Sequence, residues 1–101
     1  APAAADSVQT IQVAGADGIA VDATAASVNV TVTQTQGPGY VTIFPCGVEP
    51  PVASNLNYTG AGQTIAVGSI TALSESGALC VYTLTGTHLI VDVNGVFVPS
   101  G

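Results

Sequence analysis

Two segments constrain this chain more than any others: GPGYVTIFPCG at 37–47 and GALCVYTLTG at 77–86. Each runs from turn residues through β-branched and aromatic residues to another glycine, which is the composition of a strand between turns. Each also carries one of the only two cysteines, so the one disulfide open to the chain, Cys46–Cys80, would staple a β-sheet protein across its middle. Such a bond closes a loop of about 35 residues and contributes about 3–4 kcal/mol in the chain-entropy description. The alternative for the pair is two buried free thiols. A disulfide implies an oxidising compartment, so the expected location is secreted, extracellular or at the cell surface.

The rest of the chain reads the same way. SVQTIQVA at 7–14 alternates around Ile11 and Val13 and is expected to be an edge strand. GADG at 15–18 is a turn, and 19–25 fits a loop, a short strand or a helical turn. From Ala26 to Thr33, Val28, Val30 and Val32 alternate with Asn29, Thr31 and Thr33, so one face is buried and the other wet. Through QTQGPG this strand is expected to pair as a hairpin with Tyr40–Cys46. GVEPPVAS at 47–54 carries two prolines and is expected to cross the surface. Strands follow at 55–58, 64–73, 78–84 and 87–98. In the second of these, 64–73, Ile70 has the wrong parity to join Ile65 and Val67, and a bulge or corner at Gly68 would bring it inside. In the last, Leu89, Val91, Val93 and Phe97 share a face, with Gly95 between them. About seven or eight strands at short spacing predict a single-domain, all-β antiparallel β-sandwich or jelly roll over 7–101, preceded by a flexible segment at 1–6. Val28, Val30, Val32, Leu89, Val91 and Val93 are its expected core.

The two cysteine strands carry a further implication. Tyr40, Thr42 and Phe44 share a face with Cys46, while Ala78, Tyr82 and Leu84 share a face with Cys80. Val41, Ile43, Leu79 and Val81 make the opposite face equally apolar. These strands are therefore either central and buried on both sides, or an interface.

Charge narrows the function. The chain has 101 residues, no Lys or Arg, six Asp or Glu and one His, for a net charge of −6. It has no side chains to neutralise phosphates, so nucleic acid and anionic membrane surfaces are excluded as expected partners. The apolar run LIVDVNGVFV near the end is broken by Asp92 and is far shorter than a membrane span. The opening APAAADS is expected to be a mature terminus left by signal-peptide removal, or a cut from a longer protein.

Candidate sites are few. His88 and Asp92 lie four residues apart, more than about 12 Å along a strand, too far for a triad hydrogen bond, and no G-x-S-x-G elbow occurs, so no enzyme activity is expected. Asp92-Val93-Asn94-Gly95 resembles the start of an oxygen-ligand calcium loop to which Asp6, Asp17 and Asp22 could add carboxylates by folding, but the rest of that loop is missing and a turn is the preferred reading. No cofactor is expected, and zinc has too few ligands. Asn29 and Asn57 satisfy the N-x-T rule and are candidate glycosylation sites. Tyr40, Phe44, Tyr58, Tyr82 and Phe97 are either core and interface residues, the preferred reading, or a sugar-stacking platform.

SVNVTVT at 27–33, GYVTIFPCG at 39–47, SNLNYT at 54–59 and HLIVDVNGVF at 88–97 together resemble the repeat module (LNVTVT, GYVTVYPCG, SNLNY, DVNGYF) of secreted actinobacterial surface proteins. The resemblance spans roughly residues 8–98. It implies a secreted β-sandwich with the Cys46–Cys80 disulfide and supplies no catalytic residue. Val96-Phe97 stands where the module has Tyr-Phe, and the chain has no basic residues.

The function expected from these observations is that of an extracellular structural or surface module, a homo-oligomer or the subunit of a self-assembling filament that adds strands at its edges. The alternative is a carbohydrate-binding or adhesive module of a larger secreted protein. Residues 7–14 are a candidate intermolecular strand. Acidification, which removes negative charge with almost no positive charge to replace it, is expected to favour association.

Overall fold

A computed structural model of the chain describes residues 2–49 and 55–99, and these form eight strands and no helix. The strands are β1 (Pro2–Ala3), β2 (Ser7–Gln12), β3 (Ala25–Thr33), β4 (Gly39–Pro45), β5 (Leu56–Tyr58), β6 (Ile65–Ala72), β7 (Ala78–Thr83) and β8 (Thr87–Phe97). They make two antiparallel four-stranded sheets, ordered β1-β8-β3-β6 (sheet A) and β2-β7-β4-β5 (sheet B). The molecule is an all-β sandwich. The surface crossing expected at 47–54 falls mostly outside the described residues.

Alternation explains the core. Ala26, Val28, Val30 and Val32 of β3 are wholly buried and face Val13, Val41, Ile43, Leu79 and Val81 of the other layer. Leu89, Val91 and Val93 of β8 pack against this core but are only half-buried. The central strands of sheet B, β4 and β7, are buried on both faces over most of their length, which decides for the first of the two readings of the cysteine strands.

Three expectations are corrected and a fourth is refined. β3 and β4 do not form a hairpin, because they lie in different sheets. The intervening segment is tied elsewhere: the Thr35 hydroxyl donates to the Gly60 carbonyl (2.6 Å), Gly62 N–H donates to the Thr35 carbonyl (2.6 Å), and Gln36 N–H donates to Gly86 (2.9 Å). Second, β6 pairs with β3 in unbroken register through Gly68, so no bulge occurs there and Ile70 stays outside, 68% exposed. Third, the register shift lies in β8, where Ser27 pairs with Gly95 and Val28 with Val93, leaving Asn94 as the extra residue. The parity therefore flips: Val96 packs against the core, opposite Ala26, and Phe97 faces outward, 49% exposed. The Asp92–Gly95 segment is thus bulged strand rather than a turn.

Fourth, residues 7–12 pair with β7 of their own chain, from Ser7↔Thr83 to Gln12↔Ala78. They are the edge strand of sheet B, as expected: one side of the strand is taken by its own sandwich, and among the described residues the other side has no strand beside it. Gly77 holds the far end of this pairing. It accepts from the N–H groups of Val13 and Ala14 at 3.0 Å, its φ is +82°, and an added Cβ would lie 2.3 Å from that of Ala14. Of the first six residues, Pro2 and Ala3 are captured by β8, opposite His88 and Thr87.

Candidate functional surfaces

The disulfide Cys46–Cys80 joins the end of β4 to its neighbour β7, with the Cα atoms 5.1 Å apart. It lies on the outer face of sheet B, where Phe44 pairs with Cys80. The Thr10 hydroxyl is 3.5 Å from Cys80 Sγ and is the donor, since a disulfide sulfur carries no proton. A cavity of about 640 Å³ opens beside this bond, between Pro45–Val48 and Leu73–Ser76, with Glu75 as the one charged group among its described lining residues.

Further along the same outer face stand Tyr40 and Tyr82, half-buried, with ring centroids 5.9 Å apart and planes tilted by 43°. Tyr82 donates its hydroxyl to Asp6 Oδ1 at 2.5 Å. That bond to a carboxylate, reinforced by burial and by the Asp6 charge, pushes the Tyr82 pKa up to about 12. Asn57 is level with Tyr40 on β5, and Val8 is level with Tyr82 on β2. The other aromatics are elsewhere. Tyr58 is buried, donates to the Thr85 carbonyl at 2.9 Å and has its pKa raised by burial. Phe44 is buried, and Phe97 belongs to sheet A. The Tyr40–Tyr82 proximity follows from shared parity, whereas Asp6, distant in sequence from Tyr82, had no signal in the chain.

Asn29 and Asn57 are both exposed, Asn29 in the middle of β3 and Asn57 in the edge strand β5. His88 and Asp92 both lie on the outer face of β8, paired with Thr33 and Asn29. Among the described residues no group of three or more His, Cys, Asp or Glu is placed to hold a metal, and no helix is long and apolar enough to cross a membrane.

The remaining surfaces are the sheet edges. β1 covers only Thr87 and His88 of β8, so among the described residues the outer edge from Leu89 to Phe97 has no strand beside it. Ile11 and Gln9 of β2 and Leu89 and Val91 of β8 line an opening of about 280 Å³ at this seam. Among the described residues the opposite edge of sheet A, β6, likewise has no strand beside it. Neither edge contains a lysine or a proline, the residues with which sheet proteins commonly block pairing.

These features define a disulfide-stapled antiparallel β-sandwich, an arrangement compatible with an extracellular protein. No family model, curated protein or solved structure matches the chain.

Proposed function

We propose that this domain is a secreted structural or surface module that acts by packing and edge-to-edge strand addition rather than by chemistry. The supporting observation is sheet A, which presents two long edges, β8 and β6, with one carboxylate and one histidine between them and no guarding lysine. An open edge carries unsatisfied N–H and C=O groups that another strand pairs readily. The resemblance to repeat modules of actinobacterial surface proteins supports the same reading. Negative-stain imaging and light scattering of the purified chain test it: polymers or higher oligomers are expected, and monomers at every concentration would remove it.

A second reading rests on a different observation, the Tyr40–Tyr82 pair with the Asp6 carboxylate beside it. Aromatic faces bind the C–H face of a sugar, and a carboxylate accepts from its hydroxyls. On this reading the domain is an adhesive module for neutral glycans. Its test is glycan binding by wild type and by Tyr40→Ala; binding that survives this substitution, or no binding at all, would dismiss it.

A further inference from the structure

The two open edges of sheet A complement each other. β6 and β8 both pair with β3, so each β3 residue puts one residue of β6 level with one of β8. Opposite Thr31, Asn29, Ser27 and Ala25 on the outer face, the level pairs are Ala66 with Ile90, Gly68 with Asp92, Ile70 with Gly95, and Ala72 with Phe97. In every pair a small or absent side chain meets a larger one. Ile70 (68% exposed) and Ile90 (48% exposed) are the two large apolar groups of this row besides Phe97, and each is level with Gly or Ala on the other edge. An added Cβ at Gly95 would meet nothing within 4 Å, so the space beside Phe97 is open to Ile70. On the inner face Ile65 is level with Leu89, and Val67 with Val91, all half-buried. The bulge at Asn94 keeps this match over all eight residues of β6.

We propose that sheet A continues from one copy of the chain to the next, with β6 of one copy pairing in parallel with residues Leu89–Phe97 of β8 in its neighbour at this register. The parallel direction follows because β6 and β8 are both antiparallel to β3 and the second copy keeps the same orientation, so that the inner rows join. The contact is between two different surfaces, so a pair of copies leaves one free edge at each end, and further copies add head to tail into a chain of domains that twists with the sheet.

Charge favours this junction over a β8–β8 one. β6 carries no ionisable side chain, so a β6–β8 contact contains one carboxylate, Asp92. Two β8 edges paired antiparallel about Val93 would set both Asp92 side chains on one face as diagonal neighbours, with no Lys or Arg anywhere in the chain to offset them. Two β6 edges paired together would also match Ile70 with Ala66 and contain no charge, but they would leave both β8 edges, with Ile90 and Phe97, unpaired, whereas the β6–β8 junction uses both edges of every copy.

The inference rests on the assembly reading above, and a mixing experiment separates the two. Ile70→Asp blocks only the β6 end and Ile90→Asp only the β8 end. Both sites are exposed, so the fold is expected to stay intact, and circular dichroism of each variant checks this. By sedimentation velocity each variant alone is expected to be monomeric, while their equimolar mixture forms a 1:1 dimer through the one remaining pair of intact ends. A mixture that stays monomeric, or either variant polymerising like wild type, overturns the β6–β8 junction while wild-type polymers keep the assembly reading standing. Wild type that is itself monomeric throughout overturns both.

Discussion

Val30→Ala and Val91→Ala should separate a closed core from an open seam. Val30 is 0% exposed and sits in the central strand of sheet A, between Val67 on β6 and Val91 on β8. Alanine removes two methyl groups. At ~0.8 kcal/mol per carbon transferred, plus a term for the cavity that close neighbours on both sides cannot fill, the cost is about 2–3 kcal/mol. For a domain of this size that lowers the melting temperature by about 10–20 °C. Val91 has the same side chain and faces the same way, but it lines the opening between β8 and β2 and is only half-buried. Water already reaches it, so the same truncation should cost about 1 kcal/mol. Urea unfolding followed by circular dichroism measures both, at concentrations where the protein sediments as a monomer. Equal costs would refute the reasoning, because they would mean that the β8 edge is as closed as the β3 centre.

Three other outcomes follow. Replacing Cys46 and Cys80 by alanine opens the loop they close, 34 residues apart in sequence, and should lower stability by about 3–4 kcal/mol, read from the urea midpoint; an unchanged midpoint would deny the bond its structural role. The Tyr82 pKa is raised from 10.0 to about 12 by Asp6, so this interaction stabilises the fold fully below pH 10 and is lost as pH rises through 12. Tyr82→Phe should therefore flatten the fall in stability between pH 10 and 12, and an identical fall in both proteins would contradict the assignment. Deleting residues 1–14 removes β2 and the buried Ala3 and Val13, so the product should be unfolded by circular dichroism; a folded, soluble remainder would show that β2 is dispensable to the sandwich.

The fold class was legible because its cues are local. In β3, Val and polar residues alternate without a break, and the burial follows that alternation residue by residue. The central position of β4 and β7 followed from apolar residues at both parities. What remained hidden was non-local. A six-residue linker such as QTQGPG serves a wide hairpin as well as a crossing between sheets, and the choice depends on Thr35 and Gln36 bonding to residues far along the chain. The bulge was misplaced for a related reason. Gly68 and Gly95 are equally good bulge markers in sequence, and only pairing with β3 decides that the extra residue is Asn94, which turns Phe97 out and Val96 in. Of the candidate surfaces, the tyrosine pair could be read from parity, but the size match of β6 with β8 could not, because it depends on the register of each with β3.

Amide hydrogen exchange on assembled and monomeric protein tests the central claim most directly. If sheet A runs from copy to copy, the outward-pointing amides of β6 and of Leu89–Phe97 in β8 exchange freely in the monomer and become protected in the polymer, while those on the outer edge of β2 are unchanged. Protection gained at β2 or β5 instead, with β6 and β8 exchanging as in the monomer, would contradict it.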